Sequence, residues 1–177
     1  MSQEKLKQAL LGAIETFKQK PDAAKVVFRA DTEWVRDLEC RIKIRDFPAV
    51  AIDEPAELGG GNISFNPVEL VLGALGTCQE IMYGAYASVM GIPLTKLKVE
   101  CKGYLDLRGL FGMDPAIPSG LSKVHFKTTI ESPAGDEAIQ QLIKTVESHC
   151  PVLDTLTRGV EVTGEAHVNG GKVVVAV

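Results

Sequence analysis

From Asn66 to Met90 the chain carries only two charges, Glu69 and Glu80. That stretch constrains the fold more than any other. Asn66 is a good helix N-cap, Pro67 suits the first helical position, and Glu69 falls where a capping box places an acid. Gly91 ends the run and Pro93 blocks its continuation. The spacing predicts one helix over 66–90, ~37 Å long at 1.5 Å per residue. A helix that is apolar nearly all round is buried. Gly73, Gly76 and Gly84 each cost ~1 kcal/mol relative to Ala, so keeping them implies close approach by another backbone.

The flanks differ. Residues 3–19 repeat Leu6, Leu10, Ala13 or Ile14, and Phe17 at helical spacing, and Pro21 with Asp22 ends the pattern. This narrow stripe suits a helix that docks on something and does not form the core. Residues 25–52 alternate Val, Ile, Phe and Trp and read as strands, with Arg36-Asp37 at a tip. Residues 53–62 are turn material rich in glycine. Residues 95–107 and 121–131 alternate as strands around a long loop bearing Leu110, Phe111, Met113 and Ile117. A helix over 134–149, ended by Pro151, precedes two short C-terminal strands. Helices and strands do not alternate strictly, which predicts an α+β fold with a largely antiparallel sheet. One domain spans 1–177, with a core of about 25–177 and an added N-terminal helix.

Composition narrows the function classes. Nineteen Lys and Arg stand against 23 Asp and Glu, a formal net charge of −4, with no long basic run. No nucleic-acid partner is expected. No apolar stretch reaches ~18 residues, so no membrane partner is expected. The charged N-terminus lacks the apolar core of a secretory signal, and a cytoplasmic location follows.

Thiols in that compartment stay reduced unless they are catalytic. The four cysteines, Cys40, Cys78, Cys101 and Cys150, are far apart in sequence, and no metal or cofactor motif joins them. Cys78 falls mid-helix among Val71, Ala74, Leu75, Ile81, Met82 and Ala85. That setting equally describes a small buried hydrophobe. A thiolate there needs a cation brought from elsewhere. Cys150 precedes Pro151 and must turn out of the helix. A helix C-terminus disfavours an anion, so Cys150 suits the resolving role, or that of an inert cap. Cys40 and Cys101 read as sheet packing. Arg36 shares an alternating face with Trp34, Leu38 and Cys40 if the strand is straight, and otherwise lies in water at a hairpin tip. The GGGN stretch lacks the GK[ST] of a phosphate loop and reads as a turn.

Three segments together resemble the OsmC/Ohr family, the osmotically inducible protein C and organic hydroperoxide resistance proteins. They are ELGGGNISFNPVELVLGALGTC (57–78), GIPLTKLKVECKGYLDLRGLFG (91–112) and HCPVLDTL (149–156). The resemblance implies a long central helix against a curved sheet, in an intertwined homodimer with active sites at the subunit interface. It implies a two-cysteine peroxidase acting on organic hydroperoxides in oxidative-stress defence. Cys78 would be the peroxidatic thiol, Cys150 the resolving thiol and Arg36 the activating cation. An external dithiol would be the reductant, with no bound cofactor or metal. The chain departs from the family pattern at Val68, where the peroxidases carry glutamate, and at Leu153, where many members carry serine. A non-enzymatic dimer that binds an apolar small molecule, with structural cysteines, is the alternative reading.

Overall fold

A computed structural model describes residues 3–175, with side chains through Lys172. The element order is α1 (Gln3–Gln19), β1 (Asp31–Arg36), β2 (Glu39–Lys43), β3 (Val50–Ile52), α2 (Pro67–Met90), β4 (Lys96–Tyr104), α3 (Leu107–Leu110), β5 (Lys123–Glu131), α4 (Asp136–His149), α5 (Pro151–Thr157), β6 (Gly164–Val168) and β7 (Gly171–Val175). All strand pairs are antiparallel, in three separate sheets ordered β1-β2-β3, β4-β5 and β6-β7. The α+β expectation holds.

α2 is the axis, and α1, β4, α4 and α5 all pack on it. Its ends form as the residues dictate. Asn66 Oδ1 accepts the Glu69 main-chain N–H, and a Glu69 carboxylate oxygen accepts that of Asn66. Gly91 closes the helix at φ 69°, where an L side chain would be strained. The core lies between α2 and α4, where Tyr83 and Ala87 meet Leu142 and Val146, with Ile92 beside them. Leu97 and Ile130, paired across β4 and β5, close it from the sheet side. Burying each large aliphatic side chain here stabilises by about 1.5–3 kcal/mol.

Several expectations need correction. Residues 25–30 are not strand, and Phe28 is 92% exposed. The strands expected over 25–52 start only at Asp31, turn at Arg36-Asp37 as expected, and number three, with β3 added at Val50–Ile52. Pro151 ends α4 but also opens α5, since proline is favoured at a first helical position. Within the protomer α2 is not buried all round, because Ile81 is 70% exposed. Of the three helix glycines only Gly76 is closely approached: an added Cβ would meet Cys101 Sγ at 3.6 Å and the Val99 carbonyl oxygen at 3.7 Å. Gly73 and Gly84 face nothing within 4 Å.

The glycine-rich loop before α2 wraps the buried Asp53. Its two carboxylate oxygens accept the N–H groups of Glu54 and Ile63. An added Cβ at Gly60 would collide with the Glu54 carbonyl oxygen. Glycine is therefore required there by a close chain crossing.

Candidate active site

α2 and the α4–α5 junction place two sulfurs side by side. Cys78 lies mid-α2, and Cys150 is the shared residue between α4 and α5. The Pro151 ring holds Cys150 extended, at φ −75° and ψ 111°. This turns its side chain out of the α4 spiral and inward, where it is fully buried. Cys150 Sγ donates to Cys78 Sγ at 3.5 Å. Both are free thiols. A disulfide needs S–S of about 2.05 Å, so bond formation asks for roughly 1.5 Å of further approach.

The electrostatics favour a neutral Cys78 thiol within one protomer. Burial pushes the Cys78 thiol up. The Val152 main-chain N–H, in the first turn of α5, opposes this by stabilising the thiolate, while the hydrogen bond and charge of Cys150 raise it further. Cys150 thus lies at an α4 C-terminus and an α5 N-terminus at once, and only the first was foreseen.

The remaining candidates lie elsewhere. Arg36 closes the β1–β2 hairpin, where a register shift after Trp34 breaks the straight strand. Its side chain is 75% exposed and pairs with Glu39 at 3.1 Å. No described contact joins it to either sulfur of its own protomer. Glu69 is occupied by capping, and Val68 lines an apolar cavity. Cys40 sits in β2 opposite Trp34 and Ile52. Cys101 faces α2 from β4, with its thiol pushed up by burial and by Glu80. His149 turns away from the sulfurs to Tyr86, Ser148 and the Thr145 carbonyl. Among the described residues no group of three or more His, Cys, Asp or Glu could hold a metal ion.

Sequence reasoning missed three features on or beside the two sulfur-bearing helices. Val152 acts through its backbone, which no side-chain pattern reveals. Gln79, next to Cys78 in α2, is fully buried with both amide atoms unpartnered. Glu54 reaches the N-cap, where its carboxylate accepts from Asn66 Nδ2 at 3.1 Å.

The family model described as OsmC-like protein matches residues 59–165, which include both sulfurs. The chain belongs to the OsmC-like family. An OsmC-like protein from Mycoplasma pneumoniae superposes with a TM-score of 0.65 at 20% identity, over 75% of this chain and 88% of that one. An organic hydroperoxide resistance protein OsmC from Legionella pneumophila gives 0.59 at 18%, over 75% and 92%. An organic hydroperoxide resistance protein from Elizabethkingia anophelis gives 0.58 at 18%, over 75% and 91%. At these identities the structures establish a shared OsmC-like fold. No curated protein matches the sequence. α1 lies outside the residues that the family model matches.

Proposed function

We propose that this OsmC-like protein is a thiol peroxidase that reduces organic hydroperoxides with Cys78 and Cys150. The observation that carries the reading is the 3.5 Å separation of two free thiols held by different elements. The Cys78 thiolate attacks the terminal peroxide oxygen. The O–O bond breaks, Cys78 becomes a sulfenic acid, and the alkoxide takes a proton and leaves as an alcohol. The Cys150 sulfur then attacks Cys78, and its proton leaves with the sulfenic hydroxyl as water. An external dithiol reduces the resulting disulfide and is itself oxidised.

Burial works against the first step, so the mechanism needs a cation. We assign it to Arg36 of a second copy, because in its own protomer Arg36 lies on an exposed tip. An intertwined homodimer also accounts for the apolar surface left open on Phe28, Trp34 and Ile81. No helix among the described residues is long and apolar enough to cross a membrane, and we propose action in the cytoplasm during oxidative stress.

A second reading, an apolar-ligand-binding dimer with structural cysteines, is favoured by the raised Cys78 thiol and by Val68. Turnover separates the two. Reduction of cumene hydroperoxide by the purified protein with dihydrolipoamide or dithiothreitol, abolished by Cys78→Ser, supports the peroxidase. No turnover with either dithiol supports the second.

A further inference from the structure

β4 and β5 pair along their whole length and turn one face to α2, through Leu97, Val99 and Cys101. The outward positions alternate with these and are exposed. They carry Lys96, Lys98 and Lys102 on β4 and Lys123 and Lys127 on β5, against two acids, Glu100 and Glu131. This face therefore carries +3 in a chain whose formal net charge is −4, which leaves −7 on the rest. No basic run shows in the sequence, because the lysines alternate with core residues and come from two separate strands.

Both acids are already engaged. Lys96 Nζ donates to Glu131 at 2.9 Å across the ladder, and Lys98 pairs with Glu100 at 3.0 Å along β4. The hydrogen bond from Lys98, and then the charges of Lys98, Lys127 and Lys102, hold the Glu100 carboxyl below its ordinary range. Among the described residues no carboxylate forms an ion pair with Lys102, Lys123 or Lys127. Lys123 Nζ lies over the Tyr104 ring instead, 5.7 Å from its centre. The register puts Lys102 directly opposite His125, which Lys123 and Lys127 flank on β5. At ~3.4 Å per residue the three lysines fall within ~14 Å of strand. Grouping like charges on a ladder costs stability. Folding gains nothing in return, and spreading the lysines would serve solubility as well.

Three observations choose the anion that fits. The cations are all lysines, so the bidentate grip of arginine on phosphate is missing. Tyr104 is overhung by Lys123, which leaves no open tyrosine platform for stacking bases. The −7 on the rest of the chain repels a long polyanion more than a local cluster of carboxylates. A second copy docked on this face about a two-fold axis would set +3 against +3.

We propose that the outer face of β4–β5 docks an acidic protein surface through Lys102, Lys123 and Lys127. Aspartate and glutamate side chains of the partner take the three lysines that no carboxylate of this chain holds. α2 lies on the other face of the sheet, so docking leaves Cys78 and Cys150 uncovered. The proposal therefore stands apart from the peroxidase reading, and loss of either leaves the other intact.

Fluorescence anisotropy of dye-labelled oligoglutamate with the full-length protein tests it. Binding is expected at low salt and should weaken steeply as salt is raised. Lys102→Glu combined with Lys123→Glu should weaken it by about ten-fold or more. Lys102→Gln combined with Lys123→Gln should weaken it several-fold, and decides the matter if the double reversal fails to fold. Both variants keep the Glu100 and Glu131 pairs. The same reversal on α1, Lys18→Glu with Lys20→Glu, should change the affinity by less than about two-fold. Oligothymidylate of equal length should bind no more tightly than oligoglutamate. No binding at low salt, an equal loss in the β4–β5 and α1 variants, or tighter binding of oligothymidylate would each overturn the proposal. Assembly beyond a dimer at low salt, abolished by the Lys102 and Lys123 substitutions, would give the face to a further copy of the chain and overturn it as well.

Discussion

Asn66 and Glu69 hold each other's backbone: the Asn66 side chain accepts the Glu69 N–H at 2.8 Å, and the Glu69 carboxylate accepts the Asn66 N–H at 2.9 Å. The acid next to the family glutamate position is thereby committed to starting α2. Glu69→Ala should therefore lower stability by about 1 kcal/mol and leave the alkylation rate of Cys78 unchanged. Thermal denaturation and iodoacetamide kinetics check the two parts. A large loss of Cys78 reactivity would give Glu69 a role beyond the cap.

This pair also shows what the sequence makes legible. Both ends of α2 could be read from Asn66, Pro67, Glu69 and Gly91, because capping is local chemistry. The turn of Cys150 out of α4 could be read from Pro151 for the same reason. The α5 helix could not, since Pro151 both ends and starts helices, and only the packing of α5 on α2 decides. The meeting of Cys78 and Cys150 joins residues 72 apart in sequence. Local pattern gives no distance over such a span, and only the family resemblance linked them beforehand. Local pattern left Arg36 open between an apolar strand face and a hairpin tip, because the choice turns on the register shift after Trp34. Burial of α2 was overstated for one protomer, as Ile81 shows.

If Cys150 resolves the intermediate, removing it should leave Cys78 stranded after one turnover. Cys150→Ser is expected to give one equivalent of alcohol and a Cys78 sulfenic acid that dimedone traps, seen as a mass increase. Steady-state activity with a dithiol should fall at least ten-fold, because the reductant must then reach a partly buried sulfenic acid. Undiminished steady-state turnover would show that Cys150 takes no part.

The Arg36 assignment makes a prediction about pH. Within a protomer burial holds the Cys78 thiol above the ordinary thiol range. A guanidinium from a second copy favours the thiolate and lowers the pKa. Arg36→Gln should therefore move the midpoint of Cys78 alkylation to higher pH, slowing the reaction at neutral pH and leaving it unchanged at strongly alkaline pH. An unmoved midpoint would take Arg36 out of the site.

The exposed apolar surface predicts association. Ile81 lies on α2 and Trp34 on β1, both largely open in one protomer. Light scattering at micromolar concentration should give twice the chain mass. Ile81→Glu should weaken the dimer, by placing a charge where apolar surface is covered. A native protein that remains a folded monomer would remove both the dimer and the delivery of Arg36.

Substrate choice between organic hydroperoxides and hydrogen peroxide follows from the apolar walls of the cavity that Val68 lines. Removing apolar surface from water gains ~25 cal/mol per Å². A few tens of Å² more alkyl burial contributes roughly 1–2 kcal/mol, about ten-fold or somewhat more in kcat/KM. Val68, Val71, Leu110 and Leu156 line one apolar cavity beside α2, the helix that carries Cys78. Hydrogen peroxide has no alkyl surface to bury, and it loses hydrogen bonds to water on entering. A bulky organic hydroperoxide should thus be reduced with a kcat/KM at least about ten-fold above that for hydrogen peroxide. Leu156→Ser should shrink this preference, mainly through the organic substrate, and leave hydrogen peroxide reduction little changed. Comparing the four values of kcat/KM under one dithiol checks the argument, and equal values for the two peroxides in the native protein would mean that the cavity plays no part in recognition.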